Sequence, residues 1–219
     1  MTSSTIETSP GFFRWLQRGW VDKTIAVVAL APFFYVIWST AEEGVFDIPR
    51  LALLIELGAI VVTMLARRPP VRVTANPWFW ILAFAVTYWP FPTGTLEAQA
   101  AARVLAPPWV TSSFALLSLA VSLWARLSLG RNIGIVPAER KLVTTGAYAF
   151  VRHPIYTAIF VGVAGAELSS FTWTNFAFDL AWCLLWVLKT FVEEQFLRQN
   201  PEYARYMKEV RWRWLPGVG

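Results

Sequence analysis

The sequence predicts an all-α fold, a polytopic transmembrane helix bundle of about five to six spans. Three observations carry that prediction. Hydrophobic residues make up 56% of the 219-residue chain and charged residues only 15%, a balance suited to a bilayer. Long apolar runs recur along the chain, separated by short polar segments that hold most of the charge. Thirteen tryptophans suit the headgroup level, where an amphipathic ring finds both its environments.

Six runs are candidate spans: 24–41, 50–66, 77–90, 109–127, 155–171 and 175–191. The first resembles a signal sequence in one respect, since Ser39 and Ala41 could form a small-residue cleavage site. Its polar lead exceeds twenty residues, which favours a retained span. The third is short and has Pro77 and Pro90 at its ends. Six alternating spans put every basic segment on one side of the membrane. Those segments hold Arg14, Arg18 and Lys23; Arg67, Arg68 and Arg72; Arg126, Arg131, Arg140, Lys141 and Arg152; and Arg198, Arg205, Lys208, Arg211 and Arg213. The opposite loops hold Glu42, Glu43, Asp47 and Glu97 against Arg50 and Arg103. The positive-inside rule then predicts a multi-pass protein with cytoplasmic N- and C-termini.

The net charge of +5 does not indicate a nucleic-acid partner, because the basic residues flank apolar runs where anionic lipid attracts them. Cys183 is the only cysteine, which excludes a disulfide within the chain, and the single histidine cannot build a zinc site of the usual kind. No phosphate-cradling glycine motif and no nucleophile elbow is present.

Chemistry concentrates after residue 127. Arg152, His153 and Tyr156 lie at helical spacing around Pro154, which opens the fifth run. A helix starting there offers free N–H groups to an anion; the plainer reading is an interfacial anchor of snorkelling arginine and tyrosine. Glu193 and Glu194 end the sixth run, where the helix dipole disfavours them, so Lys189, Arg198 or a cationic or hydroxyl-bearing ligand should offset them. Pro201–Lys208 reads as an amphipathic helix with Tyr203 and Tyr206 on one face. Glu56, Glu167 and Asp179 lie within or near apolar runs, where charges face the interior and pair. Runs one to three show no cluster of reactive groups.

Taken together, these pieces resemble the superfamily of isoprenylcysteine carboxyl methyltransferases and phospholipid methyltransferases. The resemblance covers about the last ninety residues: Leu129-Gly130-Arg131-Asn132, Leu142-Val143-Thr144, Gly146 and Tyr148, Arg152-His153-Pro154 and Tyr156, Glu193-Glu194, and Tyr203 with Tyr206. Ala158 stands where the family carries glycine, and Ala147 where proline is common. The resemblance implies an N-terminal set of helices over 1–127 and a cofactor-binding half over 128–219, with the cofactor site on the cytoplasmic face. It implies an S-adenosylmethionine-dependent methyltransferase and a lipid or lipophilic small-molecule substrate. Tyr148, Arg152, His153, Pro154, Tyr156, Glu193 and Glu194 would bind the cofactor, with Arg152 and Glu193 as catalytic residues. Leu142, Val143 and Phe150 are candidates for an adenine slot, and Arg152 or Arg126 for holding a carboxylate acceptor. Carboxyl methylation of a prenylated or similar apolar acid ranks slightly ahead of N-methylation of an aminophospholipid, with methylation of a small thiol third. Other readings are a sterol-type reductase using a nicotinamide cofactor and a non-catalytic membrane or transport protein.

Overall fold

Proline and a short polar cap set most helix starts in this chain. The computed structural model describes residues 19–42, 44, 46–89 and 102–217. Arg14, Arg18, Glu43, Pro90 and Glu97 lie outside the described residues. Helix α1 spans Gly19–Glu42. Helix α2, Ile48–Ala66, is capped by Asp47, whose carboxylate accepts the Arg50 N–H at 2.9 Å. Helix α3, Pro77–Tyr88, is capped by Asn76. Helix α4 runs Pro108–Leu129 and stops at Gly130, whose φ of +57° a side-chain-bearing residue rarely adopts. Helices α5 (Pro154–Ser169) and α6 (Trp173–Leu197) follow, the second capped by Thr172. Asn200 caps the short α7, Pro201–Glu209. A two-residue antiparallel ribbon pairs β1 (Arg72–Val73) with β2 (Ala138–Glu139).

Helices α1, α2, α4 and α6 are long and apolar enough to cross a bilayer, so this is an integral membrane protein. The third and fifth expected runs do form apolar helices, of 12 and 16 residues. At 1.5 Å per residue these reach only about 18 and 24 Å, short of a ~30 Å hydrocarbon core. Outward faces stay apolar, with Val28, Trp109 and Leu127 exposed, as lipid contact requires.

Side-chain contacts fix the relative directions of the helices. The start of α1 meets the end of α2, where Asp22 pairs with Arg67. The end of α2 meets the end of α4, since Arg131 donates to the Ala66 carbonyl at 2.7 Å. Helices α4 and α5 run antiparallel, with Gly165 against Phe114 and the Thr111 carbonyl at one end. At their middle, Ser118 Oγ donates to the Ala158 carbonyl at 2.7 Å. A Cβ at Gly165 would meet the Phe114 Cβ at 2.7 Å, so this close approach needs glycine. Helix α3 lies along α6, where Trp182 donates to the Val86 carbonyl. One end of the bundle therefore gathers Lys23, Arg67, Arg131, Arg140, Arg152 and Arg213.

Two apolar clusters brace that end. One joins Leu30, Phe33, Leu57, Met64 and Ile133; the other joins Ala125, Ala147 and Tyr148. Intramembrane charges pair, as expected. Glu56 accepts from Arg126 at 2.6 Å and from Ser122 at 2.8 Å, and Glu167 hydrogen-bonds Asp179.

Candidate functional site

The site begins with a turn that only glycine can make. Gly146 has φ +62°, and a Cβ there would lie 2.2 Å from Ser128 Oγ. That same hydroxyl accepts the Ala147 N–H at 3.1 Å and anchors the 146–149 turn to α4. Tyr148 is thereby buried, and its carbonyl accepts the Tyr206 hydroxyl of α7 at 2.7 Å. Burial raises the pKa of the Tyr148, Tyr203 and Tyr206 phenols, so all three stay protonated at neutral pH.

Pro154 starts α5 and puts Arg152 and His153 at its entrance. Both side chains are buried and reach one oxygen of Glu194. Arg152 Nε donates to Glu194 Oε1 at 2.7 Å, and His153 Nε2 lies 3.2 Å from the same atom. Arg213 Nε donates to Glu194 Oε2 at 3.0 Å. Glu193 faces a second group. It accepts from the Tyr156 hydroxyl at 2.5 Å and from Lys189, which also donates to that hydroxyl at 2.6 Å. The Tyr156 ring stacks on His153 at 5.1 Å and meets Trp186 at 4.5 Å, while the Lys189 ammonium lies over both Tyr156 and Trp186.

The expected site residues thus converge, with Tyr148 one turn removed. The anion at Arg152 and His153 is the chain's own Glu194. Lys189 offsets Glu193, as the dipole argument anticipated; Arg152 and Arg213, rather than Arg198, offset Glu194. Arg126 pairs with Glu56 rather than with Glu193 or Glu194. Val143 packs inward against the Ala125–Tyr148 cluster, whereas Phe150 is 58% exposed with its ring against Trp124.

The segment after α7 was missed as part of the site. Residues 210–214 fold back across the Arg152–Pro154 entrance. The Arg152 and His153 N–H groups donate to the Trp212 and Arg213 carbonyls at 2.9 and 2.8 Å. Arg152 Nη1 donates to the Val210 and Arg211 carbonyls, both at 2.7 Å. Thr157 donates to the Trp214 carbonyl, and the Trp214 indole donates to Thr190 at 3.2 Å. The alternation Arg211-Trp212-Arg213-Trp214 was the available signal, an extended segment with one face basic and the other aromatic.

Fold and site together define a polytopic helical membrane protein with a buried, mixed-charge cluster at its basic end. Residues 109–204 match the family model for phospholipid methyltransferases, a family within the superfamily of integral membrane methyltransferases that the sequence resembles. The match spans α4 from its second residue, all of α5 and α6 and the start of α7, and includes every expected site residue. No curated protein matches the chain.

Proposed function

We propose that this protein is an S-adenosylmethionine-dependent methyltransferase that N-methylates an aminophospholipid at the basic end of its bundle. The observation that carries the reading is the meeting of Arg152, His153, Tyr156, Glu193 and Glu194 within one buried cluster inside the family-matched segment. Residues 128–219 are the cofactor-binding half, and the positive-inside rule puts the site and both termini in the cytoplasm.

The donor set fits the cofactor. Arg152, His153 and Arg213 crowd one carboxylate, and this surplus of donors suits the cofactor's own carboxylate. Glu193 and Glu194 are acceptors suited to its ammonium and ribose hydroxyls. Tyr148, Tyr156 and Trp186 offer aromatic faces to its sulfonium. When bound, S-adenosylmethionine supplies a methyl group made electrophilic by that sulfonium.

The chain's residues would then align and dry the acceptor. Lys189 and Tyr156 hold the Glu193 carboxylate by one oxygen each, fixing its orientation. An amine acceptor reaches the site as an ammonium, and Glu193 would take its proton to free the lone pair. Burial around His153 and Tyr156 excludes water and keeps the aligned geometry productive. Carboxyl methylation is the second reading and needs a cation to place the acceptor. Of the two candidates, Arg152 serves the cofactor's carboxylate and Arg126 pairs with Glu56, which favours the amine.

The test incubates purified protein with methyl-labelled S-adenosylmethionine and a total membrane lipid extract. Label in an aminophospholipid that survives mild alkali is the expected result. Alkali-labile label would identify an ester and overturn the amine assignment; binding of a nicotinamide cofactor with no label transfer would overturn the methyltransferase reading.

A further inference from the structure

A second polar cluster lies where the N-terminal helices meet the loop that carries Arg140, and it shares no residue with the Glu194 cluster. A small cavity of about 40 Å³ at the basic end is lined by Asp22, Arg67 and Arg140 among apolar side chains. Arg67 grips Asp22 through two nitrogens, at 2.7 and 3.0 Å, and both residues are buried. Lys23 stands beside them, its ammonium on the Leu65 and Arg67 carbonyls. Arg140 reaches in from the loop before the site, its Nε on the Arg68 carbonyl at 3.0 Å. Burial, then the charge of Arg67, pushes the Arg140 pKa down to about 10, so the guanidinium remains a cation at neutral pH. Two guanidiniums therefore line the cavity with a single carboxylate, Asp22, and Lys23 beside them adds to the surplus of positive charge.

A groove of about 440 Å³ runs from this cavity along the membrane-facing seam between α1 and α3. Ile25, Ala29 and Phe84 line both spaces, so the two adjoin. Val28, Pro32 and Tyr88 carry the groove toward the middle of the bundle, and its lining is almost entirely apolar. The volume lies within the usual ~300–1,000 Å³ range of ligand clefts. An apolar slot that adjoins surplus positive charge at the basic end of the bundle is the complement of an anionic amphiphile.

We propose that the α1–α3 groove is a binding site for an anionic phospholipid, its chain along Val28 and Phe84 and its phosphate against Arg140. The site does not depend on the methyltransferase reading, since it uses none of the residues around Glu194. Charge complementarity selects the occupant: a zwitterionic lipid brings a cation of its own to a cluster that already has too many.

Native mass spectrometry of the full chain, equilibrated in detergent with equal phosphatidylglycerol and phosphatidylcholine, tests the site. Wild type should retain phosphatidylglycerol with a preference of about tenfold, the scale of one charge-assisted hydrogen bond. Arg140→Gln should bring the two lipids to parity, and Arg140→Lys should keep most of the preference. Val28→Trp alters an exposed groove residue and should expel lipid of either kind without disturbing the core. Leu127→Trp, on the exposed face of α4, should leave retention unchanged. Equal retention by wild type overturns the proposal, as does a preference indifferent to Arg140→Gln. Equal losses from Val28→Trp and Leu127→Trp would show ordinary annular lipid instead. Displacement by inorganic phosphate at the lipid's concentration would show a free-anion site and also overturn it.

Discussion

Replacing Arg152 with methionine should release the C-terminal segment and destabilise the protein by several kcal/mol. The Arg152 side chain is 4% exposed and makes three short bonds, one to Glu194 and two to the Val210 and Arg211 carbonyls. Each charge-assisted bond is worth about 1.5–3 kcal/mol net, but the three share one guanidinium and do not add. Removing one partner of a buried ion pair costs about 3–5 kcal/mol, and that range is the expected loss here. For a chain of this size it corresponds to roughly 6–20 °C in the thermal transition. Arg213→Met removes a single 3.0 Å bond from a side chain 23% exposed and should cost about 1 kcal/mol. The assay is thermal unfolding in one detergent for wild type, Arg152→Met, Arg152→Lys and Arg213→Met, with trypsin cleavage after Arg211 followed in parallel. Arg152→Lys keeps the charge but cannot span Glu194 and two carbonyls at once, so it should recover only part of the loss. Equal transitions for Arg152→Met and Arg213→Met, with unchanged cleavage, would refute the claim that Arg152 pins this segment.

Glu194→Gln and His153→Ala should each weaken S-adenosylmethionine binding about tenfold, or ~1.4 kcal/mol, measured by calorimetry; unchanged binding in both would remove the site assignment. Glu193→Gln should lower label transfer to an amine acceptor by about 10²–10⁴-fold, the usual contribution of a positioned base, with smaller change in cofactor binding. Gly146→Ala should destabilise by about 1–3 kcal/mol through its positive φ, and Ser128→Gly in the same chain should restore only the steric part. Alkali supplies a pH test, because the native Tyr148, Tyr203 and Tyr206 hold their protons above the usual range near 10. A raised native pKa adds stability that is full below the unfolded value and lost as pH rises through the native one. These phenols should therefore ionise only as the helices unfold, read from tyrosinate absorbance beside circular dichroism. Ionisation of all six tyrosines of the chain before any loss of helix would contradict their burial.

Patterns local to the chain were legible without coordinates. Apolar runs marked every described long helix, with ends up to six residues off, because the bilayer demands continuous apolar length. Pro154 and the Arg152-His153 pair located the entrance to α5, and Glu193-Glu194 the end of α6, because helix ends impose their own chemistry. Sorting the basic residues between loops anticipated which helix ends gather together. Partner choice was not legible. Nothing in the order of residues says that Glu194 would take Arg152 and Arg213 while Glu193 takes Lys189 and Tyr156. Asp22 and Arg67 are 45 positions apart, and Arg140 joins their cavity from a distant loop. Periodicity also marked α3 and α5 as spans, yet it could not say how much of the bilayer 12- and 16-residue helices would cover. Hydropathy acts on each segment alone and so is written in the chain. Ion pairs depend on which helix ends meet, and only the packed bundle decides that.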